Sequence, residues 1–417
     1  MSPDNMAPAG MNCRSCGSQN LRDVIDLGPM PLADRLVDPD DEGPEPIFPL
    51  CAVWCPACSL MQLTPGPDPQ TLFAADYPYF SSISASFSEH AANYARRMIR
   101  DRRLGLESLV LEIASNDGYL LRNFSANSIP VLGIDPASGP AAQALSIGIR
   151  TIQTFFTESL AADLVSQGHM ADLIVGNNVL AHVPDPNDLV RGVGKLLKPG
   201  GLATFEMPYL RDLVDVLAFD TIYHEHHCYF SLTSLQALFE RNGLSIVDVE
   251  RLTVHGGSLR ISVSAGPASP SDAVIALQQT ELQDGIADGS FLEGFAERVD
   301  SACRSLRDTV LGLHNGGASI AAYGAAAKGT VLLNRCGIGT DILGFIVDLN
   351  PVKQGKLMPG VGVLILPVEA LIMRNPDYVL LLAWNFADEI IAQQESYLAS
   401  GGCFIVPIPE LRFVRAP

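Results

Sequence analysis

At 417 residues, with 47% hydrophobic and 18% charged residues and a mean hydropathy of +0.21, the chain is too long for one ordinary core and too apolar to be mostly disordered. Its net charge of −19, from 27 basic and 46 acidic residues, lacks the basic footprint of a phosphate-backbone binder and leaves room only for a local cationic pocket. The N-terminal stretch has neither a basic segment nor an apolar h-region. The longest apolar runs, such as Tyr378–Trp384, fall short of a membrane span, so a cytoplasmic chain without nucleic-acid or membrane partners is expected.

The first elements are two Cys-x-x-Cys units, Cys13/Cys16 and Cys55/Cys58, separated by 38 residues. Each can place two thiolates on one tetrahedral ion, and together they complete a closed four-cysteine zinc site. Gly17 and Pro56 suit the tight turns of such knuckles. The stretch between them must fold back as a small β-rich lobe. With no open coordination position, this zinc builds structure and does no chemistry.

From Leu109 the reading LVLEIASNDGYLLRNF runs from an apolar strand through a small, polar turn into an amphipathic helix. VLGIDPAS gives a second strand ending in Asp135, DLIVGNNVLAHVPD a third leading to Asn177 and Asn178, and LLKPGGLATFEMP a fourth. Alternating strands and helices predict a doubly wound sheet with ligands at the carboxyl ends of its strands. The first loop lacks the full G-x-G-x-x-G pattern, and the acidic set Glu112, Asp117 and Asp135 suits a cationic ligand better than a polyanion. These features predict S-adenosylmethionine, held by Glu112, Ala114, Asn116, Gly118, Asp135, Asn177 and Asn178, with Asp135 on the ribose diol.

Next comes FDTIYHEHHCYFS at residues 219–231, dense in acid–base groups. It is not His-Glu-x-x-His, because Cys228 takes the final place, so metalloprotease chemistry is not indicated. In a strand, Tyr223, Glu225 and His227 would share one face and His224 and His226 the other. His227 is therefore a candidate base on spacing alone, and only a bend would converge Tyr223, Glu225 and His226. Beyond it, HGGSLR carries Arg260, on glycines that equally suit a hairpin. ASIAAYGAAAKGTVLLN, FIVDLNPVKQGKLMPG and VLLLAWNF then repeat a Rossmann-like pattern, with Lys328, Lys353, Lys356 and Asn385 at its strand ends.

In this order the cysteine knuckles, DLGPMPLADRL, DYPYFSSISASF, EIASNDG, NNVLAHVPD, YHEHHCYFS, HGGSLR and YGAAAKG resemble the nucleotide-sugar C-methyltransferases of antibiotic deoxysugar biosynthesis, from Cys13 to about Pro409. The resemblance implies an α/β chain with a four-cysteine zinc-binding lobe (1–76), a class I Rossmann-like methyltransferase domain (77–268) and a second, C-terminal Rossmann-like domain (269–417) that helps hold the nucleotide sugar. It implies functional roles for Tyr223, Glu225 and His226, with His226 the base, and for His182 and Tyr79. Arg260, Lys328, Lys353 and Asn385 would bind a dTDP-4-keto-deoxysugar. Family members usually carry Gly at the position of Ala114, where one methyl is tolerated if its φ is negative. The expected reaction is methylation beside the ketone, at C-3, through an enolate. An alternative adds NADPH-dependent reduction of the 4-ketone, since donors that hold an enolate oxygen also polarise a ketone. The missing dinucleotide fingerprint leaves that alternative without support from the residues.

Overall fold

The computed structural model describes residue 8 and residues 10–41, 43–72 and 80–416. The N-terminal lobe is built on β1 (Arg22–Pro31), β2 (Ile47–Trp54) and β3 (Met61–Leu63). The central region follows with β4 (Val110–Ile113), β5 (Val131–Ile134), β6 (Thr151–Ile152), β7 (Ala171–Asn177), β8 (Leu197–Pro208), β9 (Cys228–Tyr229), β10 (Leu244–Leu252) and β11 (Ser258–Ala265). The last third carries β12 (Ile320–Tyr323), β13 (Ile346–Val347), β14 (Ile365–Leu366), β15 (Tyr378–Leu381), β16 (Cys403–Val406) and β17 (Arg412–Val414).

The large sheet has the order β10-β11-β8-β7-β4-β5-β6. It is parallel from β8 through β6, and β11 runs antiparallel to both of its neighbours. Val110, Leu111, Glu112 and Ile113 are all buried, as expected of a central strand covered by helices on both faces. The chain order reverses between β4 and β7, and that switch point opens a crevice at the strands' carboxyl ends. Local signals start the flanking helices where they are needed. Asp185 caps Pro186–Leu196 by accepting from the N–H groups of Asn187 and Asp188, with Pro186 in the first turn. Ser231 and Ser234 form a reciprocal cap on Leu232–Arg241, ending the acid–base segment abruptly.

The C-terminal sheet, β14-β13-β12-β15-β16-β17, is parallel except for its last strand, and its carboxyl ends face the same crevice. The N-terminal lobe is wedged between the two. Its Ile25, Leu27 and Met30 share a core with the C-terminal strands, whereas Cys13, Cys55 and Leu60 pack with the strands of the large sheet. β9 pairs antiparallel with β3, so the lobe's sheet is completed by a strand from the central region. Among the described residues no helix is long and apolar enough to cross a membrane.

Candidate active site

A cavity of about 320 Å³ lies where the carboxyl ends of the two α/β sheets meet. Its wall on the large-sheet side starts at the loop after β4. Ala114 and Asn116 line it with φ of +57° and +49°, and Gly118 follows at +78°. The condition set for a tolerated methyl, a negative φ at residue 114, is therefore not met: an alanine stands in a left-handed position that glycine fills without strain. Asp135, at the end of β5, accepts from the N–H of Asn116 at 2.8 Å and of Ala137 at 2.9 Å, tying the two loops together. Burial lifts its pKa to about 6. Asn177 and Asn178 line the cavity with Asp135, between apolar walls that include Ile113, Ile134, Phe156 and Leu189.

Two residues assigned to this set sit elsewhere. Glu112 points into the sheet, 1% exposed, with neither carboxylate oxygen hydrogen-bonded, and burial drives its pKa well up. Gly118 does not reach the cavity wall; its role is the loop's turn, where an added Cβ would sit 3.2 Å from Ile149.

The acid–base segment is neither strand nor regular helix. A short 3-10 helix, Phe219–Thr221, leads into a turn in which the N–H of His226 bonds to the Tyr223 carbonyl at 2.9 Å. That turn stacks the Tyr223 and His226 rings, with centroids 4.0 Å apart, and points both into the cavity. Imidazole Nδ1 lies 2.8 Å from the Thr221 carbonyl, which can only accept. The proton must therefore sit on Nδ1, and the Nε2 lone pair accepts from the Tyr223 hydroxyl at 2.9 Å. Burial pushes the His226 pKa well below its ordinary 6.5, with the charge of neighbouring groups adding to it.

His182 lines the same cavity, its ring centroid 4.6 Å from that of His226, and it bonds to the Glu225 carbonyl. Burial lowers its pKa to about 4. His227 and His224 are off the wall: His224 bonds to the Pro49 carbonyl, and His227 is buried with its pKa lowered to about 3. Of the two candidate bases, only His226 faces the cavity. Glu225 does not line it either. Its carboxyl, 2% exposed, receives the N–H of Asp34, and burial with the nearby Asp34 charge raises its pKa to about 8. Asp34 itself lines the cavity, a residue the sequence reading passed over inside PLADRL. Tyr79 lies outside the described residues.

From the C-terminal side come Lys328, Lys353 and Asn385. Lys353 is 7% exposed and donates to the Ala325 carbonyl at 2.6 Å. Lys328 stands 4.6 Å over the Trp384 ring. Arg260 is not among them. Its guanidinium is buried against Glu206 at 2.7 Å and Glu250 at 2.9 Å, and stacks on Tyr94, so it has no donor directed at a ligand in the cavity. The glycines before it, Gly256 and Gly257, make the β10–β11 hairpin, at φ +88° and +119°.

Three family models match in succession: "Putative zinc binding domain" over residues 13–73, "Methyltransferase domain" over 87–249 and "C-methyltransferase C-terminal domain" over 253–409. C-methyltransferase NovU of Streptomyces niveus is 40% identical over 411 residues, 97% of each chain. The chain belongs to this C-methyltransferase family. A ubiquinone biosynthesis O-methyltransferase of Pseudomonas fluorescens is 31% identical over 28% of this chain and 51% of its own. A solved S-adenosylmethionine-dependent methyltransferase of Clostridium acetobutylicum is 13% identical, covering 43% of this chain and 92% of its own, with a TM-score of 0.35.

The C-methyltransferase is an S-adenosylmethionine-dependent enzyme, and the loop after β4 fits that cofactor. It presents the small Ala114 and the polar Asn116, and the loop after β5 adds the carboxylate of Asp135 for a cationic ligand, with apolar side walls for a base. In the N-terminal lobe, the sulfur atoms of Cys13, Cys16, Cys55 and Cys58 lie within 4.8 Å of one another. The Cys13–Cys58 and Cys16–Cys55 pairs are 3.5 Å apart, near the roughly 3.8 Å edge of a tetrahedron with 2.3 Å Zn–S bonds. The knuckle backbone is pre-bent for it: the Gly17 N–H bonds to the Cys13 carbonyl and the Ser59 N–H to the Cys55 carbonyl. No feature among the described residues favours the NADPH-dependent alternative.

Proposed function

We propose that the enzyme methylates a dTDP-4-keto-deoxysugar at C-3, beside the ketone, with His226 as the base. One observation carries this reading: a neutral imidazole whose Nε2 lone pair is engaged only by the Tyr223 hydroxyl, in a cavity shared by the loop after β4 and the lysines of the C-terminal domain. When bound, S-adenosylmethionine supplies an electrophilic methyl, and the new C–C bond forms as its methyl–sulfur bond breaks. Everything else falls to the chain. The Thr221 carbonyl holds His226 in the tautomer that leaves Nε2 able to accept a proton. Substrate displaces the Tyr223 hydroxyl from Nε2, and that hydroxyl then donates to the sugar. The C-3 proton passes to Nε2, and its electron pair becomes the enolate. His182, kept neutral by burial and with its one N–H held by the Glu225 carbonyl, packs beside His226 without adding a charge. Lys353 and Asn385 receive the nucleoside diphosphate, and Asp34 a sugar hydroxyl.

The test is purified enzyme with a dTDP-4-keto-2,6-dideoxyhexose and methyl-labelled S-adenosylmethionine, with the sugar analysed by mass. Label on a sugar carbon is expected. Its absence from a folded, cofactor-binding enzyme would rule the reading out. In deuterated water, His226→Ala is expected to lose exchange of the C-3 proton while His227→Ala keeps it.

A further inference from the structure

We propose that Lys328 is a catalytic residue of the methyl transfer, its ammonium holding the oxygen on which negative charge develops as the carbon acid loses its proton. This rests on the keto-sugar reading above and gives Lys328 a different task from diphosphate binding.

The helix that carries it, Ala327–Cys336, packs directly against Phe219–Thr221, the segment that leads into Tyr223 and His226. Lys328 thus reaches the cavity from the side of the base. It stands over Trp384, whose indole N–H donates to Asp220 at 2.7 Å. Asp220 is 0% exposed, and its carboxylate is the counter-charge that keeps a cation tolerable in this desolvated place. The two side chains therefore fix one positive charge within electrostatic reach of His226. Before reaction that charge weighs against a protonated imidazole, and so helps keep the base neutral. Proton transfer then makes an imidazolium on one side and an enolate between it and the ammonium. The arrangement is electrostatically complete only once the enolate exists. Such an interaction, stronger in the transition state than in the ground state, accelerates the chemical step. Lys353 and Asn385 remain to receive the diphosphate.

The experiment compares wild type with Lys328→Met and Lys328→Arg. Solvent deuterium exchange at the α-carbon of the dTDP-4-keto-sugar is followed without methyl donor, and kcat and KM for methylation with it. Removing one oxyanion donor typically costs about 100-fold or more, so Lys328→Met is expected to lose at least that in both exchange and kcat. Its KM for the sugar nucleotide should move less than about 3-fold, with partial recovery in Lys328→Arg. Thermal melting and S-adenosylmethionine binding check each variant, and Lys328→Gln replaces Lys328→Met if the latter does not fold. A raised KM with unchanged exchange would overturn the proposal and return Lys328 to phosphate binding. Failure of the wild type to exchange or methylate would instead overturn the keto-sugar reading itself.

Discussion

Ala114 holds φ +57° in the loop that meets the cofactor, where an L-residue costs about 1–2 kcal/mol relative to the right-handed region. Glycine would remove that strain but would also lose more chain entropy on folding, about 0.4–1 kcal/mol. Ala114→Gly is therefore expected to melt within about 2 °C of wild type, with S-adenosylmethionine affinity kept. Ala114→Val forces a β-branched side chain into the same conformation and should weaken cofactor binding at least about tenfold, as read by calorimetry. Glu225 offers a second test. Its folded pKa of about 8 lies above the ordinary 4.5 because of burial and the neighbouring Asp34 charge. A carboxyl raised in this way contributes stability that is full below its unfolded pKa and lost as pH rises through the folded one. Glutamine mimics the protonated form, so the melting advantage of Glu225→Gln over wild type should be near zero at pH 4.5. It should grow towards pH 8 and then level off, at about 2 °C or more. The raised carboxyls Glu112, Asp135, Asp212 and Asp220 are common to both proteins and cancel in the difference, and the raised Asp34 beside Glu225 is likewise kept in both. An advantage that shrinks with rising pH would refute a protonated Glu225.

At the scale of elements, the turn that carries Tyr223 and His226 is held from the zinc side. Gln62 and Met61 of β3 pair with Cys228 and Tyr229, the second and third residues after His226, and the Leu63 N–H bonds to the His227 carbonyl. The knuckle also grips the methyltransferase surface, through Asn187 to the Arg14 and Ser15 carbonyls and Arg241 to Ser15. Removing zinc with a chelator, or Cys58→Ser, should therefore slow methylation and deprotect the backbone amides of residues 223–229 in hydrogen exchange. The cofactor loop should change less. Equal deprotection of both segments would mean general unfolding and not a clamp. The clamp also explains what was readable from sequence. Strands β4, β5 and β7 announce themselves by apolar runs and small-residue turns, and the two knuckles by their spacing. The turn at 223–226 does not, because alternation presumes an extended chain, and the residues just after this turn pair with a strand 166 to 168 residues earlier in sequence. Arg260 was misread for the same kind of reason. Its partners Glu206 and Glu250 lie on the neighbouring strands β8 and β10, and only the sheet order brings them together.

For the whole molecule, the question is what keeps the C-terminal domain against the methyltransferase sheet so that Lys328 and His226 face one cavity. Direct links run through the lobe: the Thr330 hydroxyl donates to the Ala33 carbonyl at 2.8 Å, and Val37 and Leu357 exchange backbone bonds. The link nearest the chemistry is the Trp384 indole N–H on Asp220. Trp384→Phe keeps an aromatic ring but strips this donor from a carboxylate with no exposure to water. Leaving a buried acceptor unsatisfied costs about 1–3 kcal/mol, more for a charged group. Burial already holds the Asp220 pKa at about 6, so loss of the donor favours the neutral form and weakens the counter-charge on Lys328. Two effects should therefore appear together in Trp384→Phe. Urea unfolding should shift by about 1–3 kcal/mol, and kcat should fall because Lys328 loses its placement. Affinity for S-adenosylmethionine, whose loop lies on the opposite wall, should stay within about twofold. A variant that melts and turns over like wild type would show that this hydrogen bond does not place Lys328.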